Sequence, residues 1–265
     1  MWYAFGKNAV RSRRFVHTRT LHARFTMTTL RFASFAAAIL YAATPLSAQS
    51  LATYGSAEVA GFGEGSALLG ATLSSGHQGW GPIASLVGQT YRFRDGVTPT
   101  SHTQAWALSP AVGLEYVAPE GSVQGSVGYS FVSSEATRSA VVAGNQLGSK
   151  NGVFVSAQAN YWGDGENSAQ WIGSYGFGSK YYWTRGRAAH RLEPSANPIY
   201  LGAELVLQGS NDFTPSIFRY EVGPTIEYRA TPEFRVGASA GYRGGNNSAA
   251  GTGYGRVEFL LLSKL

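Results

Sequence analysis

The stretch Phe218–Arg229 reads FRYEVGPTIEYR, and its even and odd positions carry different chemistry. Phe218, Tyr220, Val222, Pro224, Ile226 and Tyr228 alternate with Arg219, Glu221, Gly223, Thr225, Glu227 and Arg229. A period of two held this long belongs to a strand with two unlike faces. In a soluble sandwich the apolar face packs inward and the charges meet water. In a membrane barrel the same text is inverted, with aromatics toward lipid and charges toward the lumen.

The small residues elsewhere decide between these. From Gln104 to Tyr116, the face of Trp106, Leu108, Val112, Leu114 and Tyr116 opposes Ala105, Ala107, Ser109, Ala111, Gly113 and Glu115. Val123, Val127, Tyr129 and Phe131 oppose Gln124, Ser126, Gly128 and Ser130. Leu201, Leu205 and Leu207 oppose Gly202, Glu204 and Gln208, and Val257, Phe259 and Leu261 oppose Arg256 and Glu258. A solvated sheet face is rich in Lys and Glu, whereas this polar face is mostly Gly, Ala, Ser and Gln with isolated Arg and Glu. That composition suits a crowded barrel interior in which opposite charges pair.

Composition agrees. There is no cysteine, charged residues make up 14%, and 34 glycines, 15 tyrosines and 14 phenylalanines favour strands and turns. The formal charge of +6 is a property of one end: seven of the 21 basic residues and none of the 15 acidic ones precede Gln49. The 14 cations and 15 anions that follow leave no basic patch for nucleic acid. From Met27 the text MTTLRFASFAAAILYAATPLSAQS supplies a positive start at Arg31, an apolar core from Phe32 to Ala43 and a small-residue cleavage site at Leu46-Ser47-Ala48. Residues 1–48 are therefore read as a leader, a misassigned start followed by a cleavable signal peptide, and 49–265 as the barrel domain. Arg13-Arg14 lies too far from the apolar core to act as a twin-arginine signal. No apolar run after Gln49 approaches the roughly 18 residues that a membrane helix needs.

The expected fold is all-β: a closed, up-and-down antiparallel transmembrane barrel of about 12 strands, an even number as single-chain bacterial barrels have. The segments lie at 54–63, 66–75, 81–94, 103–117, 121–134, 152–162, 168–177, 181–191, 198–208, 216–229, 233–243 and 252–263. Connections alternate between short (APEG, GDGEN, ATPE) and longer (95–102, 135–151, 209–215, 244–251), which sorts the long ones to one end. Closure is obligatory, because an open edge would leave backbone groups unpaired in hydrocarbon. The last strand ends in Leu265 rather than an aromatic, so assembly is expected to rest on Phe259 and Leu261.

Candidate lumen-lining charges are Arg185, Arg187, Arg219, Glu221, Glu227, Arg229, Glu204, Arg256 and Glu258, with Arg191, Arg235, Arg243 and Glu115 in the same alternation. Their expected role is mutual pairing, filling much of the lumen. Trp162, Trp183 and Tyr200 are candidates either for interfacial girdles or for stacking on sugar rings. No catalytic, metal or cofactor site is expected: His77, His102 and His190 have no metal-ligand spacing, and no GxSxG elbow is present. GFGEG and GTGYG have no following helix to cradle a phosphate.

SAQANYW, SYGFGSKYYWTRGRAAHRL and YLGAELVLQGSNDF, running on from Val153, together with the later GYRGG, resemble the second half of the BcsS family of bacterial cellulose-biosynthesis proteins. Where that family's pattern has GPE, this chain has Gly202-Ala203-Glu204. The resemblance implies a non-enzymatic outer-membrane barrel acting as an accessory in cellulose biosynthesis or secretion. Its partners would be outer-membrane lipid, cellulose and cellulose-secretion subunits. The alternative is a general small porin or passive barrel with no polysaccharide role. On the alternation alone, Val222→Arg should cost on the order of 2 to 4 kcal/mol, whereas Glu221→Gln should leave insertion intact.

Overall fold

The computed structural model describes residues 50–94, 102–136, 148–163, 165–195, 197–211, 216–246 and 251–265. The expected leader lies outside them, as do connections 95–101, 137–147, 212–215 and 247–250. The first six strands are β1 (Ser50–Ala60), β2 (Glu64–Ser74), β3 (Gly79–Arg94), β4 (His102–Ala118), β5 (Gly121–Ala136) and β6, in two pieces, Gly148–Ser149 and Gly152–Tyr161. The second six are β7 (Asn167–Gly176), β8 (Tyr181–Arg191), β9 (Ile199–Ser210), β10 (Ile217–Arg229), β11 (Phe234–Gly245) and β12 (Thr252–Lys264). Both pieces of β6 keep one register against β5. In the gap between them Lys150 N–H donates to the Val132 carbonyl at 3.0 Å and Asn151 Oδ1 accepts from Val132 N–H at 3.0 Å.

Each strand pairs antiparallel with its chain neighbours, and β1 pairs with β12 from Ser50↔Lys264 to Ala60↔Tyr254. The sheet closes on itself as a 12-strand barrel with no free edge. In such a meander the strand ends that flank 95–101, 137–147, 212–215 and 247–250 all lie at one end, and the β4–β5, β6–β7 and β10–β11 turns leave the other. At the short-turn end two adjacent turns are tied together: Trp162 N–H donates to the Glu120 carbonyl at 2.9 Å, and Trp162 Nε1 donates to Pro119 at 2.7 Å.

The alternation in FRYEVGPTIEYR is realised residue by residue. Val222 is 46% exposed, whereas its neighbour Glu221 is 0% exposed. Phe218, Ile226 and Tyr228 share the exposed outer face with Leu201, Leu205, Val127, Val257 and Phe259. The interior instead buries Glu204, Glu221, Arg243, Arg256, Thr225 and Ser239. A polar inside and an apolar outside around a closed sheet is the arrangement a bilayer imposes on strands. Among the described residues no helix is long and apolar enough to cross a membrane.

The first hairpin differs from its expected place. β1 ends at Ala60 and a 3₁₀ turn, Gly61–Gly63, follows, so Glu64 opens β2 instead of lying in the turn. Gly63 takes the left-handed region at φ 72°, a conformation that only glycine adopts without strain, and this fixes the turn. At the closing seam Gly55 stands opposite Phe259, whose ring occupies the space a Cβ on Gly55 would need, 2.5 Å away. The aromatic covers the glycine from outside.

Candidate functional site: an ionic sector of the lumen

The charged side chains of β8–β12, β1 and β2 converge into one network. Arg256 (β12) bonds Glu204 (β9) at 2.7 Å and Glu58 (β1) through Nε at 3.0 Å, and its Nη2 also contacts Glu221 (β10). Arg243 (β11) pairs with Glu221 and Glu58 and reaches Glu64 (β2) at 3.2 Å. Arg219 (β10) pairs with Glu64 at 3.0 Å, donating from both terminal nitrogens. Arg185 (β8) bonds Glu258 (β12) at 2.7 Å, and Arg187 (β8) pairs with the same carboxylate. Ser239 and the Tyr254 hydroxyl also donate to Glu204, at 2.7 Å and 3.1 Å.

Strand separation shows that these contacts cross the interior. β8 and β12 are four strands apart, as are β10 and β2, an arc of roughly 19 Å at the usual interstrand spacing. Arginine and glutamate cannot cover that distance along the wall and meet instead across a chord of the lumen. The network thus braces one side of the barrel against itself. Its energetics are those of buried ions, in which attraction and desolvation nearly offset each other while loss of one partner strands the other. Where adjacent strands crowd together the inner face is glycine: a Cβ on Gly223 would lie 2.1 Å from the Ala240 carbonyl, and one on Gly241 2.2 Å from that of Val222.

All nine charges named from the sequence lie on the inner face, and each contacts another of them or Arg243, Glu58 and Glu64 in the connected set. Arg229 completes the nine through its partner Glu227 at 2.7 Å, to which Arg187 comes within 3.9 Å. The two glutamates that alternation did not pick out are Glu58 and Glu64, on either side of the shifted first turn. Glu58 follows the parity of Tyr54 and Ser56, and that parity was the available signal. Arg235 stands directly opposite Arg229, and its buried Nε has no hydrogen-bond partner. Arg185 Nε and Arg187 Nε likewise have none.

The three aromatic candidates do not form one path. Trp162 caps the short-turn end. Tyr200, 2% exposed, lies inside at that same end, donating to the Gly165 carbonyl at 2.7 Å beneath the Arg229 guanidinium, 4.0 Å from its ring centre. Trp183 is opposite Gln208, near the start of β8 and hence toward the long-connection end. The outer surface shows a different set, including Trp80 against Tyr116 at 5.3 Å and the exposed Tyr161, Trp171 and Tyr242. Among the described residues no group of three or more His, Asp or Glu side chains is placed to hold a metal.

A family model described as cellulose biosynthesis protein BcsS matches residues 39–263, reaching into every strand of the barrel. The chain belongs to this family. Comparison with curated proteins finds no match to this BcsS-family chain. Among solved structures it is similar to the β domain of the Bordetella autotransporter BrkA, at 12% identity and TM-score 0.49, over 80% of this chain and 97% of that one. It is also similar to the translocator domain of the autotransporter NalP from Neisseria meningitidis, at 15% identity and TM-score 0.46, over 88% and 97%. A third likeness is the KdgM porin in complex with disordered oligogalacturonate, at 12% identity and TM-score 0.40, over 79% and 98%. The fold of the BcsS-family barrel rests on its own strand pairing and closure, not on these likenesses.

Proposed function

We propose that this BcsS-family chain is a non-enzymatic outer-membrane barrel that serves as an accessory in cellulose biosynthesis, acting where the polysaccharide meets the outer membrane. The observation that carries this reading is the family match over residues 39–263 of a chain that closes as a barrel with an apolar outside. In this reading residues 1–48 are the leader, with a signal peptide from Met27 removed near Ala48, and 49–265 insert. The lumen charges Arg185, Arg187, Glu204, Arg219, Glu221, Glu227, Arg229, Arg256 and Glu258 then act as fixed bracing rather than as a catalytic set. Outer-membrane lipid, cellulose and the secretion subunits are the partners; nucleic acid is not.

Deletion of the gene in its own host tests the reading. Extracellular cellulose, or its attachment to cells, should fall and recover on complementation with the full chain. Unchanged cellulose on deletion, in a host whose parent strain demonstrably holds the protein in its outer membrane, would support a passive porin instead. The location has its own check: unboiled and boiled protein should differ in mobility on a detergent gel, because a closed hydrogen-bonded barrel resists detergent until heated.

A further inference from the structure

The inner wall divides sharply by charge. Among the side chains described within the strand segments of β3–β7, Glu115 is the one inward charge, with Lys150 in the gap of β6 beyond them, whereas every strand from β8 through β12 and on to β2 contributes at least one. In place of ions β4–β7 carry hydroxyls and amides that bond sideways along the wall. Ser109 and Ser130 are 2.8 Å apart, and Ser126 and Ser156 2.7 Å. Gln124 donates to Gln158 at 3.0 Å, Gln158 to Asn160 at 3.0 Å, and Gln170 to Asn160 at 3.1 Å. At the sector's edge Arg185 donates to Gln170 at 2.7 Å, joining this ladder to the ionic network and placing both on the same inner face.

The two sectors also differ in access. Glu204, Glu221, Arg243 and Arg256 are buried, while Gln124, Ser126, Ser130, Ser156, Gln158 and Asn160 are half-buried. Since these side chains point away from the outer face, the surface they keep is open to water within the lumen. Each also has unused capacity: a hydroxyl offers one donor and two lone pairs, and an amide two donors and two lone pairs, more than the sideways bonds consume. Toward the long-connection end, the Phe154 ring lies over Gly128 on the same wall, 2.5 Å from where a glycine Cβ would stand. An apolar ring followed by donor–acceptor groups, with no formal charge among the inward side chains from Phe154 to Asn160 and Glu115 set to one side on β4 opposite Gln124, matches a molecule whose faces carry C–H and whose edges carry hydroxyls.

We propose that the inner wall of β4–β7 is a binding track for an uncharged polyhydroxylated chain of the glucan class, running from Phe154 to Asn160. The distance along the strand is roughly 20 Å, enough for several sugar rings in succession. Neutral donor–acceptor groups hold such a chain by bonds that exchange readily as it shifts, whereas a carboxylated chain would find no cation between Phe154 and Asn160, Arg185 at the sector's edge being already bonded to Glu258 and Gln170. The choice of a glucan rests on the cellulose reading above; the uncharged, hydroxyl-rich chemistry rests on the wall alone.

The test uses the full chain folded in lipid vesicles, with folding verified by heat-dependent gel mobility. Calorimetry measures cellohexaose, maltohexaose and a six-sugar oligogalacturonate. Cellohexaose should bind, and oligogalacturonate should bind about ten-fold more weakly or not at all. The double variant Gln124→Ala/Gln158→Ala removes two donor–acceptor groups and should weaken cellohexaose about ten-fold or more. Should that variant fail to fold, Ser126→Ala, which removes only the hydroxyl, takes its place with a smaller loss in the same direction. Absence of cellohexaose and maltohexaose binding to the folded wild type would overturn the track, as would binding that survives these changes. Maltohexaose binding as tightly as cellohexaose, in a protein whose deletion leaves cellulose unchanged, would uphold the track and overturn the cellulose reading. Reduced cellulose on deletion with no oligosaccharide bound would do the reverse.

Discussion

The two halves of this lumen are built from the same backbone and stabilised in different ways. Between β8 and β2, side chains cross the interior to bond strands up to four places away. Between β4 and β7, bonds run only to the next strand or to the next inward residue on the same strand. The first half couples distant strands and buries its charges, so its members depend on each other. The second couples neighbours and leaves its groups partly accessible, so its members are nearly independent. A barrel stiff on one side and lined with exchangeable polar groups on the other can hold its shape while offering a surface.

The largest expected effect follows from that dependence. Glu221 receives Arg243 and Arg256 in a site with no exposure, so Glu221→Gln leaves two buried guanidiniums short of a counter-charge. Breaking a buried ion set by removing one partner typically costs about 3–5 kcal/mol. Alternation alone marks this substitution as mild, because it says that Glu221 faces inward and nothing about its partners. Urea titration in vesicles should show the variant strongly destabilised, and the double change Glu221→Gln/Arg243→Met should recover part of the loss. Equal stability of Glu221→Gln and wild type would dissolve the distinction between the sectors.

That difference marks how far the sequence could be read. Strand number, closure and the outer face were legible because lipid imposes a period of two on every strand, and Val222, Leu205 and Phe259 obey it. The nine charges were legible as inward by the same parity. Their pairings were not, since Arg185 meets Glu258 and Arg219 meets Glu64 across 73 and 155 positions of chain, a distance that no local pattern encodes. Glu58 and Glu64 escaped notice because AEVAGFGEGSA has too few large residues to declare its phase. The neutral ladder was visible only as small-residue text opposite an apolar face. Its continuity appears once Ser126 and Ser156, or Gln124 and Gln158, are seen to share a level on adjacent strands.

A second test asks whether the asymmetry is confined to the inside. Val222 lies on the outer face of the ionic sector and Val127 on that of the neutral one, 46% and 50% exposed. An arginine near the bilayer middle costs about 2–4 kcal/mol on the lipid face. Val222→Arg and Val127→Arg should therefore destabilise the folded barrel by similar amounts. A difference larger than the effect itself would mean that the ionic bracing controls how the outer surface responds, and that the two halves differ in stiffness throughout the wall.

The smallest expected effect lies on the neutral wall. Gln158 makes two side-chain hydrogen bonds, accepting from Gln124 at 3.0 Å and donating to Asn160 at 3.0 Å, and it remains half-buried. A neutral hydrogen bond contributes about 0.5–1.5 kcal/mol net, and groups released here can turn to lumen water. Gln158→Ala should thus cost at most about 1–2 kcal/mol, well below Glu221→Gln. Its coupling to a change on the ionic side should also be small, because Gln158 reaches Arg185 only by way of Asn160 and Gln170. Combining Gln158→Ala with Arg256→Met measures this directly. Additive losses, within about 0.5 kcal/mol, are expected of sectors that act separately. Coupling beyond that margin would show that the ladder transmits strain into the ionic network, and the neutral wall would then belong to the brace.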